Sequence, residues 1–195
     1  MSNIRDIKNR MRAEVRAARD ALSPEEKTAL DRAICQQFRG LASFRFAEIL
    51  LAYYPLEEEV DVRPLIEEAL SLGKRVALPR CHDGNLMDFY FIKSLSDVES
   101  GAYGIMEPRE DCERYGQDGT KPAIMLIPAL AYDKFGYRLG YGRGYYDRYV
   151  NRFGGVKAGL CYRAFFKTAP LPRGRYDMAV DYVVTEKGVK LVEKK

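Results

Sequence analysis

One ten-residue segment, Arg138 to Asp147, combines the residue types that bind phosphate groups. Its sequence, RLGYGRGYYD, has three glycines at alternate positions, where the missing Cβ lets backbone N–H groups approach an anion closely. Arg138 and Arg143 add full positive charges, and the carboxylate of Asp147 is a hard oxygen ligand suited to Mg²⁺. The segment therefore predicts a site for the phosphates of a nucleotide.

The residues after the glycines predict a helix. One apolar stripe with the spacing i, i+3, i+4 and i+7 is formed by Tyr146, Tyr149, Val150 and Phe153. A glycine loop that opens a helix brings unpaired N–H groups and the positive end of the helix dipole to one place. The glycines alone would more often form an ordinary tight turn, and their spacing matches neither GxxxxGK[ST] nor GxGxxG. The neighbouring arginines, tyrosines and aspartate favour the phosphate site.

Length and composition describe one soluble domain. The chain has 195 residues, of which 47% are hydrophobic and 31% charged, and this is enough to bury a core without disulfides. No run of eighteen apolar residues predicts a membrane span, and residues 1–19 lack the apolar stretch of a signal peptide. We expect a single domain over residues 1–195, a cytoplasmic location, no membrane partner and a monomeric state.

Cysteine and histidine usage excludes two common kinds of site. Cys35, Cys81, Cys112 and Cys161 are scattered without a CxxC pair, which argues against zinc and against a disulfide framework. The single histidine, His82, precedes a predicted hairpin turn, and nothing pairs it with a nucleophile. The net charge of +4 suits an anionic small molecule without demanding nucleic acid.

The N-terminal segment predicts an amphipathic helix with two stripes. The apolar stripe consists of Ile4, Ile7, Met11, Val15, Ala18 and Leu22. The second stripe is basic and consists of Lys8, Arg12, Arg16 and Arg19; from this segment alone we interpret it as a solvent-exposed face. A second helix is predicted to begin at Pro24, because Ser23 and Glu26 form a capping box around it.

Short apolar segments alternate with helical ones along the rest of the chain. Strands are predicted at 47–54, 74–79, 86–92, 156–161 and 180–184, and the longest apolar run, 123–131, leads into the glycine loop. This alternation predicts an α/β fold with a parallel or mixed sheet and covering helices. Ligands of such folds bind at the carboxyl ends of the strands, where the glycine loop is expected. Residues 109–121 and 162–178 are predicted to be irregular.

Several motifs in a fixed order resemble one known family. They are the RLGxGxGYYD motif at 138–147, Lys8-x-x-x-Arg12, Glu59-Val60-Asp61, Gly104-Ile105-x-Glu107-Pro108 and the segment 181–186. Together they cover residues 8 to 188, and they resemble the 5-formyltetrahydrofolate cyclo-ligase, or methenyltetrahydrofolate synthetase, family. The resemblance implies an α/β fold with helices on both faces of a mixed sheet, similar to NagB, ribose-5-phosphate isomerase and CoA-transferases.

The resemblance also implies a reaction. The family uses ATP and Mg²⁺ to close 5-formyltetrahydrofolate into 5,10-methenyltetrahydrofolate, with release of ADP and phosphate. The formyl oxygen attacks the γ-phosphate, the N10 amine adds to the activated carbon, and phosphate leaves. Such catalysis depends on positioning and electrostatics and needs no covalent protein nucleophile.

Roles for individual residues follow from the same resemblance. ATP would be bound by Lys8, Arg12, Arg138, Gly140, Tyr141, Gly142, Arg143, Gly144, Tyr145 and Tyr146. The folate would be bound by Tyr54, Glu59, Tyr141, Gly142, Arg143, Gly144 and Tyr145. Catalysis would depend on Arg138, Arg143 and Tyr146, and Mg²⁺ would be held by Asp147 and Asp181. The family usually has a Gln and a His in the 162–178 loop, where this chain has Phe165 or Phe166 and Tyr176.

Two other functions are compatible with these residues. The basic first helix and the glycine loop could bind single-stranded nucleic acid, but no aromatic platform motif is present, and Asp147 and Asp181 would repel a phosphate backbone unless bound to metal. An ATP-dependent enzyme acting on another carboxylate or amide would differ only in pocket residues. We expect ATP and 5-formyltetrahydrofolate as ligands and no nucleic-acid partner.

Overall fold

A computed structural model describes residues 3–101, 104–116, 119 and 121–192 of the chain. The helices are α1 Ile4–Asp20, α2 Pro24–Arg39, α3 Ala42–Phe46, α4 Arg63–Ser71 and α5 Tyr145–Val150. The strands are β1 Ile49–Leu51, β2 Arg75–His82, β3 Leu86–Ile92, β4 Val98–Ser100, β5 Met106–Pro108, β6 Ala123–Pro128, β7 Ala131–Asp133, β8 Arg138–Leu139, β9 Val156–Leu160, β10 Phe166–Lys167, β11 Tyr182–Thr185 and β12 Gly188–Leu191.

The central sheet has seven strands in the order β12-β11-β9-β6-β1-β2-β3. The five inner strands are parallel, whereas the edge strands β3 and β12 run antiparallel to their neighbours. In the middle of the sheet, Leu50 lies opposite both Val76 and Ile124. Leu50 packs into the core on one face, and Ile49 and Leu51 pack into the core on the other. Both faces are therefore covered, as parallel sheets require.

Helices cover both faces of this sheet, so the predicted α/β architecture is confirmed. Val15 of α1, Phe38 of α2 and Leu65 of α4 lie in the core on one face. Tyr149 and Val150 of α5 lie in the core on the other face. None of the helices in the described ranges is long and apolar enough to cross a membrane.

The beginning of α2 follows its sequence signal. The Ser23 side chain accepts from the Glu26 N–H at 3.2 Å, and the Ser23 N–H donates to Glu26 Oε2 at 3.0 Å. Pro24 occupies the first helical turn, where its missing N–H leaves no hydrogen bond broken. This local hydrogen bonding fixes where α2 begins and therefore how closely it follows α1.

Arg19 docks the end of α1 against the carboxyl edge of the sheet. Its guanidinium donates to the carbonyl oxygens of Glu58, Ala129 and Leu130, each at 2.8 Å. The side chain is only 5% exposed and also lies over the rings of Tyr162 and Phe165. The interpretation of the basic stripe as a solvent-exposed face is therefore wrong for Arg19, because buried carbonyl oxygens without sheet partners take up its donors.

Several elements differ from the predicted ones. Strand β1 ends at Leu51 because Tyr53 and Tyr54 leave the sheet, and the Tyr53 hydroxyl donates to Val60 O at 3.1 Å. The run 123–131 contains two strands, β6 and the start of β7, separated where Arg19 binds the chain. The helix after the glycines ends at Val150. The small sheet β10-β7-β8 and the β4-β5 hairpin were not predicted. Part of the predicted 109–121 loop lies outside the described residues.

Asp133 anchors the irregular segment 162–178 to the rest of the fold. Its side chain is fully buried, and Oδ1 accepts from the N–H groups of Phe135 and Tyr137 at 2.9 and 3.0 Å. Oδ2 accepts from the Leu171 N–H at 2.9 Å. Strand β10 also pairs in parallel with β7. These contacts hold an otherwise irregular segment at the carboxyl edge of the sheet, beside the glycine loop.

Candidate active site

A cavity of about 580 Å³ lies at the carboxyl ends of β1, β2 and β6. Tyr53 follows β1, Cys81 lies near the end of β2, and Pro128 ends β6, and all three line the cavity. Helix α1, the glycine loop 140–144 and part of the 162–178 segment form the opposite walls. The site therefore lies at the edge of the sheet where the fold class places ligands.

The basic stripe of α1 faces this cavity. Lys8, Arg12 and Arg16 all line it. The interpretation of the stripe as a solvent-exposed face is wrong for the partly buried Lys8 and Arg12 and holds for Arg16, whose side chain is exposed. Arg12 Nε donates to the carbonyl oxygen of Gly140 at 2.8 Å, and the Arg16 guanidinium lies 5.6 Å from the centroid of the Tyr141 ring. Burial and the nearby Arg16 lower the pKa of Arg12, against the opposite effect of Asp177. These cations are positioned to contact the anionic groups of a ligand, while five carboxylates line the same cavity and balance their charge.

The glycine loop is held in a conformation that two of its glycines require. Gly142 has φ +104° and Gly144 has φ +74°, values that residues with a Cβ rarely adopt. A Cβ on Gly142 would also lie 3.3 Å from Cζ of Arg12. Gly140 has no positive φ, and a Cβ there would meet nothing closer than Arg138 Nε at 3.9 Å. The close approach of helix α1 to the loop therefore depends on Gly142.

Two cations in the cavity are paired with carboxylates. Arg138, 7% exposed, donates from Nη2 to Asp147 Oδ1 at 2.5 Å and from Nη1 to the Met178 carbonyl oxygen at 3.5 Å. Lys8 Nζ donates to Asp177 Oδ2, also at 2.5 Å. Arg138 thus connects Asp147, which follows the glycine loop, with Met178, the residue after Asp177. The two aspartates lie in the same wall of the cavity, each opposite a cation predicted to bind phosphate.

Asp181 is not part of this cavity, so the structure does not bring it together with Asp147, the other predicted Mg²⁺ ligand. Asp181 Oδ2 accepts from the Lys157 N–H at 2.8 Å at the beginning of β9. It lines a different cavity, together with Ala123 and Val156, the first residues of their strands. Asp181 therefore lies at the amino edge of the sheet, a strand's length away from Asp147.

Asp177 is the carboxylate that sequence reasoning missed. It lines the cavity and lies within the irregular 162–178 segment, directly after Tyr176. The only available signal was its place in a loop where the chain departs from the family pattern. Periodicity gave no indication, because an irregular segment has none. Asp177 Oδ2 also accepts from the Gly174 N–H at 2.8 Å, which fixes the local turn.

Glu59 and three tyrosines line the middle of the cavity. Glu59 is 5% exposed and accepts from the Leu56 N–H at 2.9 Å. Burial raises the pKa of Glu59 and outweighs the opposite effects of that N–H, the neighbouring Tyr141 hydroxyl and Arg19. Tyr54 and Tyr146 also line the cavity. The buried Tyr146 hydroxyl has no hydrogen-bond partner within the described part of the chain, which marks it as a group that a ligand would satisfy.

The structure brings most of the predicted site residues together. All predicted ATP and folate residues line the one cavity, with Asp147 beside them. His82 lies outside it, near Asp88 on the β2–β3 hairpin, with 3.5 Å between His82 Nε2 and Asp88 Oδ2. Two groups in the cavity, the partly buried Cys81 and the buried Glu107, had no predicted role.

The fold and the cavity define an α/β protein with an anion-binding site at the carboxyl edge of its sheet. The chain belongs to the 5-formyltetrahydrofolate cyclo-ligase family, since the model of that family matches residues 4–186. The family resemblance inferred from the motifs is thereby confirmed.

Individual relatives agree with this assignment. The chain is 31% identical to the 5-formyltetrahydrofolate cyclo-ligase of Escherichia coli strain K12, over 69% of this chain and 74% of the relative. It is 26% identical to a probable 5-formyltetrahydrofolate cyclo-ligase of Schizosaccharomyces pombe, over 93% and 96%. The structure of the Aquifex aeolicus 5,10-methenyltetrahydrofolate synthetase superposes with a TM-score of 0.83 and 35% identity, covering 97% and 94% of the two chains.

Replacing Gly142 should destabilise the chain, whereas replacing Gly140 should not. Gly142→Ala places a Cβ at φ +104° and against Arg12, so we expect the free energy of unfolding to fall by about 1–3 kcal/mol. Gly140→Ala, two residues away, should change it by less than about 0.5 kcal/mol. Urea unfolding of both variants measures the difference. Equal losses would contradict the loop geometry described above.

Neutralising Glu59 should stabilise the chain at neutral pH. The pKa of the carboxyl is raised above its ordinary value of 4.5 in the folded chain, so its ionisation above pH 4.5 favours the unfolded chain. Glu59→Gln should therefore be more stable than wild type at pH 7, and the gain should shrink as the pH falls below 4.5. Thermal unfolding across this pH range tests it. The matched variant Glu58→Gln changes a more exposed carboxylate and should show no such gain; a pH-independent difference for Glu59→Gln would contradict the assignment.

Proposed function

We propose that this cavity binds ATP and 5-formyltetrahydrofolate side by side and closes the folate to 5,10-methenyltetrahydrofolate, with release of ADP and phosphate. One observation carries the proposal: helix α1 and the segment 138–143 bring five cations into a single cavity that apolar side chains also line. The cations are Lys8, Arg12, Arg16, Arg138 and Arg143. Membership of the cyclo-ligase family supports the same reaction.

The cationic end of the cavity suits the triphosphate. Arg12 is fixed against Gly140, and Arg138 is fixed by Asp147, so both guanidinium groups are held in place before a ligand arrives. Lys8 adds a compact point charge that its ion pair with Asp177 holds in place. Cations that are already oriented stabilise charge that develops on a transferring phosphoryl group without reorganising at that moment.

A divalent cation fits beside these phosphates, and we assign it to Asp147 and Asp177. Within the described residues, no group of three or more His, Cys, Asp or Glu side chains could form a complete metal cage. Mg²⁺ commonly binds to only one or two carboxylates and takes its other ligands from water and substrate phosphates, so the pair suits it. The cation would supply neutralisation of phosphate charge. Each aspartate bound to it would release its present partner, Lys8 or Arg138, to the nucleotide.

The middle of the cavity suits the reacting groups of the folate. Tyr146 presents an unpaired hydroxyl there, and Glu59 lies beside Tyr141. In the proposed reaction the formyl oxygen attacks the γ-phosphate and ADP leaves. N10 then adds to the activated carbon, loses its proton, and the C–O bond breaks to release phosphate. Tyr146 and Glu59 would hold the formyl group in line with phosphorus and exclude water.

A direct assay tests the proposed reaction. Purified chain with ATP, Mg²⁺ and 5-formyltetrahydrofolate should produce the near-ultraviolet absorbance of the methenyl product, with one ADP formed for each product molecule. Omitting ATP should abolish the signal. ADP formation without the methenyl product would indicate instead an ATP-dependent enzyme for another substrate, and no turnover of either kind would refute the proposal.

A matched pair of aspartate variants tests the metal assignment. Asp177→Asn removes a carboxylate from the cavity, so we expect the Mg²⁺ concentration for half-maximal activity to rise by about tenfold or more. Asp181→Asn keeps an oxygen acceptor for the Lys157 N–H at the other edge of the sheet and should leave this concentration unchanged. The Mg²⁺ dependence of initial rates measures both effects. The reverse pattern would restore Asp181 as the ligand.

A further inference from the structure

A second buried carboxylate, Glu107, lines the cavity beyond the reacting centre. It lies in β5 and is only 2% exposed. Its Oε1 accepts a hydrogen bond from the N–H of Cys81, near the end of β2. None of the steps proposed above uses it. An acidic group buried this completely is costly unless something compensates for it, so its presence in a ligand cavity requires an explanation.

The surrounding chain makes room for this carboxylate but does not satisfy it. Among the described residues, one N–H donates to it, that of Cys81, which lies 3.1 Å from Oε1. A Cβ on Gly101 would overlap the carboxylate, so the chain approaches it there without a side chain. A carboxylate can accept about four hydrogen bonds. The Cys81 thiol also hydrogen-bonds to the carboxylate, so about half of its accepting capacity is left for a ligand.

Apolar side chains form part of the wall around Glu107, with Arg143 and Tyr145 near Cys81, and the Cys81 thiol is neutral. Pro79, Met87 and Ile105 line this end of the cavity. Burial, followed by the charge of Glu107, raises the pKa of the Cys81 thiol to about 12, so Cys81 stays neutral there. A phosphate group would be repelled by the unshared negative charge. A flat ring with N–H donors on one edge would fit both the walls and the charge.

We propose that Glu107 binds the pterin ring of the folate by accepting hydrogen bonds from its 2-amino group and N3–H. This inference rests on the proposed function. The two donors are adjacent on one edge of the ring, so they can engage the two oxygens of a carboxylate together. Oε1 keeps the Cys81 N–H as well, because each oxygen can accept two bonds. Glu107 is thus a substrate-binding residue that determines specificity for the ring.

The orientation of the substrate agrees with this assignment. In the fused ring of 5-formyltetrahydrofolate, the 2-amino edge and the N5 atom that carries the formyl group lie at opposite ends. Glu107 lies beside Cys81 near the carboxyl end of β2, whereas Lys8 belongs to α1, which forms the opposite wall of the cavity. A ring bound by Glu107 therefore directs its formyl group toward the phosphates, which the proposed phosphoryl transfer requires.

The experiment pairs a protein change with a substrate change. Wild type and Glu107→Gln are each assayed with 5-formyltetrahydrofolate and with its analogue that has a methyl group in place of the 2-amino group. Wild type should prefer the natural substrate in kcat/KM by about tenfold to a hundredfold, and Glu107→Gln should lose most of that preference. The KM for ATP should change little in the variant. Glu110→Gln, which alters a side chain 85% exposed on the same segment, is the control and should behave as wild type.

The outcomes separate the two proposals. Wild type that uses both folates equally well overturns the assignment of Glu107 while leaving the cyclo-ligase proposal intact, and an undiminished preference in a folded Glu107→Gln does the same. Wild type that converts neither folate overturns both. Circular dichroism shows whether Glu107→Gln folds; if it does not, the preference of the wild type alone decides.

Discussion

Charge compensation inside the cavity is the constraint on which the site depends. A guanidinium as buried as that of Arg138 is unfavourable without a partner, and Asp147 and the Met178 carbonyl oxygen provide it. Lys8 has the same relation to Asp177. These pairs keep the positive charges oriented without a ligand. In the proposed function, binding of a metal-nucleotide complex would be an exchange of partners, in which the carboxylates take the cation and the basic groups take the phosphates, so that no buried charge is left alone.

The fold holds α1 and the 162–178 segment, which carry charged groups of the cavity, in defined positions. Arg19 fixes α1 to the carbonyl oxygens beyond β6, and Asp133 fixes the 162–178 segment to β7. Both use buried hydrogen bonds in which a charged group serves backbone atoms that no strand partner satisfies. Lys8 on the helix and Asp177 on the irregular segment meet because each is anchored in this way. The 162–178 segment therefore has little regular secondary structure, but its contacts fix its position in the fold.

Local features were predicted well where neighbouring residues determine them. The capping box at Ser23 and the strand 86–92 agree with α2 and β3 in the structure, because hydrogen bonds and side-chain alternation over a few residues decide both. The glycine loop was placed correctly next to α5 for the same reason. The end of β1 was not predicted correctly. Tyr53 leaves the sheet and its hydroxyl donates to the Val60 carbonyl oxygen, a contact that no local pattern indicates. For the site, motif similarity named most of the cavity residues, but it included Asp181, which lines a different cavity, and did not include Asp177.

The sequence by itself determined the α/β class, the order of the main helices and of most central strands, and the family, because these follow from periodicity, capping and motifs within short windows. Only the tertiary structure decided which charges meet. Lys8 and Asp177 are 169 residues apart in the chain, and Arg12 and the Gly140 carbonyl are 128 apart. Whether the basic stripe of α1 faces water or a cavity, and which aspartate faces it, depends on how the helix packs across the sheet edge. Many contacts between residues far apart in the chain determine that packing, so no single segment of the sequence predicts it.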